Sequence, residues 1–179
     1  LDCAPAGIIV PCVDTPEQAQ RVVDAAKFPP LGKRSYGGRR PCDTLGRAYS
    51  DSANEDLMLI CQIESPEAIA NVDDIAAQPG VDALFLGPDD VMLRRGYEMG
   101  TPTRNRDTLG GDMNAVSAAC RKHGKIPVMV GAGEEMLRLC LEMDFRMVVG
   151  ASDVMLLSGA SGEFSERARS ISAGANSGT

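Results

Sequence analysis

Tryptophan is absent from the 179 residues, and aromatic residues make up only 4% of them. A folded core must therefore be filled by Ala, Val, Ile, Leu and Met. There is one histidine, His123, placed before Gly124 where a helix is expected to end, so a solvated C-terminal residue is the reading and a Ser-His-Asp or His-metal site is not expected. The six cysteines (Cys3, Cys12, Cys42, Cys61, Cys120 and Cys140) form no C-x-x-C pair. Cys61 lies inside an apolar run, where a buried free thiol is expected. No apolar run reaches the roughly 18 residues of a membrane span, and no charged-then-apolar leader opens the chain. Positive charge is also short: 18 Lys and Arg stand against 25 Asp and Glu, a net charge of −7 that argues against a nucleic-acid partner. Only "KRSYGGRR" is locally basic, and Lys33, Arg34, Arg39 and Arg40 read either as an anion grip or as a solvated loop. Together these absences describe a reduced, cytoplasmic protein with no nucleic-acid and no membrane partner.

What is present is an alternation. Hydrophobic residues form 44% of the chain, enough for one sizeable core. "GIIVPCV" (Gly7 to Val13) is a strand-like run expected to be buried on both faces. "TPEQAQRVVDAAKF" then has Thr15 as N-cap, Pro16 at the first helical position, Gln18 completing a capping box, and an apolar stripe at Ala19, Val22, Val23 and Ala26. The unit recurs: strand "LMLICQI", helix "SPEAIANVDDIAAQ", strand "DALFLG", a short helix or turn at "PDDVMLRRG", helix "DMNAVSAACRKHG", strand "KIPVMVG", helix "EEMLRLCLEM", strand "FRMVVG", and a partly helical end with "AGANSGT" as a frayed tail. Five such rounds predict parallel strands joined by crossover helices, either a β/α barrel or a doubly wound sheet. The chain opens at Leu1 without Met and is soon in a strand, as a piece of a longer sequence would be.

Right-handed crossovers put every strand's C-terminal end on one face. That face collects Asp14, Glu17, Glu64, Asp89, Asp90, Glu134 and Asp153. Glu64 and Asp90 follow consecutive strands, so pairing of those strands places them about 5 Å apart across the ladder. Two carboxylates that close repel unless a cation lies between them, and Mg²⁺ accepts one or two carboxylates while keeping places for water and substrate. The alternative, that both acids only cap the following helices, stays open at this point, although Ser65 already fills the cap position after Glu64. In "GPDD", a helix opened by Pro88 would turn the N–H groups of Asp89 and Asp90 toward an anion; an ordinary Gly-Pro turn is the other reading.

Covalent imine chemistry needs a lysine on the active face. Of Lys27, Lys33, Lys122 and Lys125, the last two precede a strand and belong to the opposite face, so a Schiff base is not expected. "VGAGEEM" (Val130 to Met136) has Met136 where a dinucleotide fingerprint requires its third glycine, which disfavours a nucleotide-binding domain.

"QIESPEAIANVDDIAAQPGVDALFLGPDD" resembles the central signature of the HpcH/HpaI aldolase/citrate lyase family, the metal-dependent class II pyruvate aldolases. "GIIVPCVDTPEQAQRVVDAAKFPPLGKRSYGG" resembles the segment before it, and "KIPVMVGAGEEMLRLCLEMDFRMVVGASD" the last two strands. The resemblance covers most of residues 1–160. It implies a partial TIM-type β/α barrel, the last five of about eight β/α units, with a barrel domain over residues 1–165 and a tail over 166–179. It implies Glu64 and Asp90 as ligands of Mg²⁺ or Mn²⁺, and Gln62, Gly87, Pro88 and Asp89 as substrate-binding residues. The implied reaction is aldol or retro-aldol cleavage of a 4-hydroxy-2-oxo acid through a metal-stabilised pyruvate enolate. The partners would be a small-molecule 2-oxo acid and an aldehyde, and the assembly a homo-oligomer. The family's base histidine and oxo-acid arginine belong to strands that precede this chain's first, and neither maps onto a residue here. Cys12 stands where some relatives carry His, and Ser35 replaces a glycine. The alternative is a catalytically dead member serving as a binding or oligomerisation module.

Overall fold

The computed structural model describes residues 1, 3–37, 39–100 and 104–176. In chain order the elements are β1 (Gly7–Val10), α1 (Pro16–Ala26), α2 (Arg39–Leu45), α3 (Tyr49–Asp56), β2 (Met58–Ile63), α4 (Pro66–Ala70), α5 (Val72–Ala76), β3 (Ala83–Leu86), α6 (Pro88–Arg94), α7 (Arg106–His123), β4 (Ile126–Val130), α8 (Glu134–Glu142), β5 (Met147–Val149) and α9 (Asp153–Asn176). All four strand pairings are parallel, and the spatial order is β1-β2-β3-β4-β5. A doubly wound sheet reverses its order at a switch point. This one runs monotonically, so the alternation resolves as an arc of a β/α barrel.

The helix starts follow from local chemistry. Thr15 and Gln18 form the reciprocal capping box of α1, and Ala19, Val23 and Ala26 are buried. Ser65 caps α4 through the Ala68 N–H. The single helix expected over residues 65–78 is broken at Asn71, whose side chain donates to the Asp14 carbonyl instead of facing solvent. Gly124 ends α7 in the left-handed conformation, φ 67°.

Three expectations need correction. Strand β1 stops at Val10 rather than Val13, because Pro11 has no N–H for the ladder and Cys12 adopts φ 57°; the chain rejoins at Val13, whose N–H reaches the Gln62 carbonyl. Nor is β1 buried on both faces: it is an edge strand, and Ile9 is 47% exposed. Helix α9 continues through Ala173 to Asn176, where a frayed tail was expected; residues 177–179 lie outside the described residues.

Alternate residues of each strand face opposite layers. One layer, between sheet and helices, holds Leu59, Cys61, Ile63, Leu84, Leu86 and Met129 with the buried faces of α1, α5, α7 and α8. The other, on the concave side, holds Ile60, Ala83, Phe85 and Val128, bordered by Met58, Ile126 and Val130. Gln62 and Glu64 continue the concave row of β2 toward the C-terminal end of the sheet. No helix among the described residues is long and apolar enough to cross a membrane.

Candidate active site

Glu64 is the first residue after β2 and is 4% exposed. Its two oxygens are held separately: the Cys12 N–H donates to Oε1 at 2.7 Å, and Gln62 Nε2 donates to Oε2 at 2.5 Å. The left-handed turn at Cys12 is what aims that backbone N–H. Opposite Glu64, by continuation of the Ile63–Leu86 register, stands Gly87. A Cβ there would lie 2.9 Å from Glu64 Cβ and 3.0 Å from Gln62 Nε2, so the glycine is required by the close approach of these side chains.

The ladder therefore pairs Glu64 with Gly87 and not with Asp90, which corrects the route by which the two acids were expected to meet. Asp90 lies in the first turn of α6, exposed, and comes to this end of the sheet on the helix. Asp89 is bound on both oxygens by Arg104, through Nε at 2.8 Å and through Nη2. The anion cradle is also narrower than the tetrapeptide suggested. The Gly87 N–H is spent on the Ile63 carbonyl at 2.9 Å and Pro88 has none, leaving the first-turn N–H groups of Asp89 and Asp90 without intrahelical acceptors.

The other acids of this face have local duties. The Asp14 carboxylate accepts from the Ser65 hydroxyl. Glu17, exposed in the first turn of α1, is lowered below the usual carboxylate range by its own backbone N–H and the Thr15 hydroxyl. Glu134 pairs with Arg138 one turn on, and Asp153 accepts from the Val154 N–H at the start of α9.

All four lysines stand away from Glu64. Lys27 is buried under the N-terminal ends of β2 and β3, donating to the carbonyls of Asn54 and Leu57 at 2.8 and 2.5 Å and to Asp82 at 2.9 Å. Lys33 pairs with Asp24, Lys122 with Asp73, and Lys125 with the Val81 carbonyl. His123 also meets Asp73, at 3.1 Å, at the C-terminal end of α7. The basic segment near residue 35 makes no common grip: Lys33 is paired, Arg34 stacks 4.6 Å from the Phe28 ring centre, Arg40 is exposed, and the Arg39 side chain lies outside the described residues. Sequence reasoning missed three residues at the site: Cys12 through its backbone, Arg104, and Arg94, whose Nη2 lies 3.7 Å from Cys12 Sγ. Contacts across so long a separation leave no local signature.

A divalent ion is the group the donor set invites. No cluster of three or more His, Cys, Asp or Glu side chains is found among the described residues. A buried carboxylate suits a hard cation such as Mg²⁺ or Mn²⁺ and does not suit a closed structural zinc site. The buried Glu64 fits particularly well: each oxygen receives a single hydrogen bond, which leaves lone pairs for an ion.

The HpcH/HpaI aldolase/citrate lyase family model matches residues 1–160. The chain is 32% identical over 171 residues to a hydroxypyruvate/pyruvate aldolase of Rhizorhabdus wittichii, covering 96% of this chain and 68% of that protein. It is 33% identical over 159 residues to a 2-dehydro-3,6-dideoxy-6-sulfogluconate aldolase of Pseudomonas putida, covering 88% of this chain and 61% of that one. An HpcH/HpaI aldolase/citrate lyase family protein of Burkholderia cenocepacia has the same fold, with a TM-score of 0.82 and 29% identity over 94% of this chain and 66% of that one. The chain thus spans about two thirds, or somewhat less, of the length of the proteins it matches.

Proposed function

The chain belongs to the HpcH/HpaI aldolase/citrate lyase family, and from that premise we propose that it carries the divalent-metal site of a carbon–carbon lyase that cleaves or forms 4-hydroxy-2-oxo acids. The observation that carries the reading is Glu64: a buried carboxylate at a strand end, each oxygen fixed by one donor, packed close against a glycine backbone that a side chain would push away.

Glu64 and Asp90 would hold the ion. When bound, it supplies the Lewis acidity that stabilises negative charge developing on a 2-oxo acid. The protein's own groups prepare the rest. Cys12 N–H and Gln62 Nε2 lock the Glu64 carboxylate in one orientation, so little freedom is lost on binding. Gln62 is also the polar group of the concave face nearest that carboxylate, placed to orient substrate. Arg104 holds the Asp89 carboxylate aside, and the free N–H groups at the start of α6 offer the substrate carboxylate hydrogen-bond donors. Glycine at position 87 lets the backbone approach. The relatives' names, aldolases of pyruvate and of keto-deoxy acids, support the substrate class. Remoteness of every lysine from Glu64 supports the non-covalent route; pyruvate and an aldehyde as partners, and a homo-oligomer as the assembly, rest on the family resemblance alone.

The only histidine is at the far end of α7, so no proton-transfer role is assigned to a side chain of this chain. That observation favours a second reading, a binding or oligomerisation module that keeps the metal site. Calorimetric titration of Mn²⁺ into the chain and into Glu64→Gln tests the metal site. Loss of an outer partner alone costs about 10–100-fold in affinity, so loss of the carboxylate should cost at least that, and equal affinity would sink the assignment. Pyruvate release from 4-hydroxy-2-oxopentanoate with Mn²⁺ then separates a lyase from a module that only binds the ion.

A further inference from the structure

We propose that Arg94 is a specificity-determining residue that binds a second anionic group, a carboxylate or phosphate, at the aldehyde-derived end of the substrate; this deepens the lyase reading above and rests on it. The argument is topological first. Helix α6 leaves the end of β3 and closes at Arg94, and Arg94 Nη2 reaches 3.7 Å from Sγ of Cys12, which follows β1. The sheet order is β1-β2-β3. A side chain that starts after β3 and touches a residue after β1 must pass over the end of β2, and Glu64 is what stands there. The link is direct, since Cys12 gives its N–H to Glu64 Oε1 and its sulfur to Arg94.

The guanidinium is also available. Arg95, its neighbour, is bound bidentately by Asp112 at 2.6 and 2.8 Å. Arg104, Arg106, Arg121 and Arg138 each have a carboxylate partner. Among the described residues Arg94 has none; its acceptor is a thiol, the weakest in the side-chain inventory. Apart from the N–H that meets the Cys12 sulfur, its planar fork of donors is left to a ligand, and that geometry matches carboxylate and phosphate.

Direction follows from the same order. The donors proposed for the 2-oxo acid carboxylate lie at the start of α6, on the β3 side of Glu64. Arg94 lies over the β1 side. A substrate held at Glu64 between them presents its carboxylate to one and its far end to the other, so the group that Arg94 meets is the one contributed by the aldehyde.

The test uses the chain with Mn²⁺, as wild type, Arg94→Gln and Arg94→Lys. In the aldol direction, pyruvate is offered with D-glyceraldehyde 3-phosphate or D-glyceraldehyde, and with succinic semialdehyde or butanal. Arg94→Gln should lower kcat/KM for at least one charged aldehyde by about 10–100-fold, the scale of a charge-assisted hydrogen bond. The loss should fall mainly on KM, with partial recovery in Arg94→Lys and the uncharged partner unchanged within about twofold. Whichever pair responds identifies the anion. Equal losses on charged and uncharged aldehydes, or a parallel loss of Mn²⁺ affinity, would overturn the proposal and make Arg94 a support of Glu64. Calorimetry with glycerol 3-phosphate and succinate against glycerol and butyramide reads the same site without turnover. Weaker anion binding in Arg94→Gln with no pyruvate chemistry in wild type would overturn the lyase reading and leave the anion site standing. Anion binding that Arg94→Gln does not alter would overturn the site itself.

Discussion

The two faces of the sheet are made by the same five strands and share almost nothing else. On the convex side Leu59, Cys61, Ile63, Leu84 and Leu86 are fully buried because the chain's own helices cover them. On the concave side Ile60, Phe85 and Val128 are buried only at the centre of the arc, while Ile9, Met147 and Val149 at its edges are 47%, 40% and 39% exposed. In a closed barrel the interior is filled by layers contributed from alternate strands all the way round, so five strands can shield the middle of a layer and not its ends. The polar groups follow the same division: Gln62 and Glu64 continue the concave row, and the helix-covered face carries no chemistry. One face holds the fold together and the other carries the candidate site.

The largest expected effect breaks that division from the stability side. Leu84→Ala should cost about 2–5 kcal/mol, the range for a leucine deleted from a close-packed core, read by urea unfolding. Next comes Gly87→Ala, whose methyl would press on Glu64 and Gln62. Mn²⁺ affinity should fall about 10–100-fold with a much smaller change in unfolding midpoint than Leu84→Ala; a large loss of stability with unchanged affinity would move Gly87 to the other side of the comparison.

A third effect comes from two thiols on the helix-covered face. Burial pushes Cys61 and Cys120 up to about 12. Above the ordinary thiol range of about 8.5 the unfolded chain gives up these protons while the folded chain keeps them. Stability must therefore fall as pH rises from about 9 toward 12, by roughly 1 kcal/mol per thiol near pH 10. Cys61→Ala should flatten that slope, and an unchanged slope would assign the alkaline loss elsewhere. The smallest effect sharpens the contrast: Ile9→Ala, at the concave edge, should cost less than about 0.5–1 kcal/mol. A cost rivalling Leu84→Ala would mean that this edge is covered in solution.

Legibility divided along similar lines. The strands were readable because apolar runs bounded by turn residues are a local signal, and α1 because Thr15, Pro16 and Gln18 are a local signal too. Helices α2 and α3 were not foreseen. "RRPCDTL" and "YSDSANED" carry no apolar stripe, and α3 buries no residue. At the candidate site, Glu64 stood out by its spacing after a strand, whereas Gln62 and Gly87 entered only through the family resemblance. The ladder partner of Glu64 was not legible, because it depends on where β3 ends. Cys12 and Arg94 meet across 82 positions of chain, and no pattern within a window records such a pair. Asn71 reads as an ordinary helical residue until Asp14 comes beside it.

That last junction bears on how the site can be inherited. The Cys12 amide bonds Glu64, the Asp14 carboxylate takes the Ser65 hydroxyl, and the Asp14 carbonyl takes the Asn71 amide. All three bonds join the chain after β1 to the chain after β2, with α1, α2 and α3 between. A genetic crossover within α2 or α3 would splice cleanly by sequence length. Yet it would bring together a β1 loop and a β2 loop selected in different backgrounds. The offspring could keep Glu64 and lose its aim, so the segment from Pro11 to Asn71 should pass between lineages as one block.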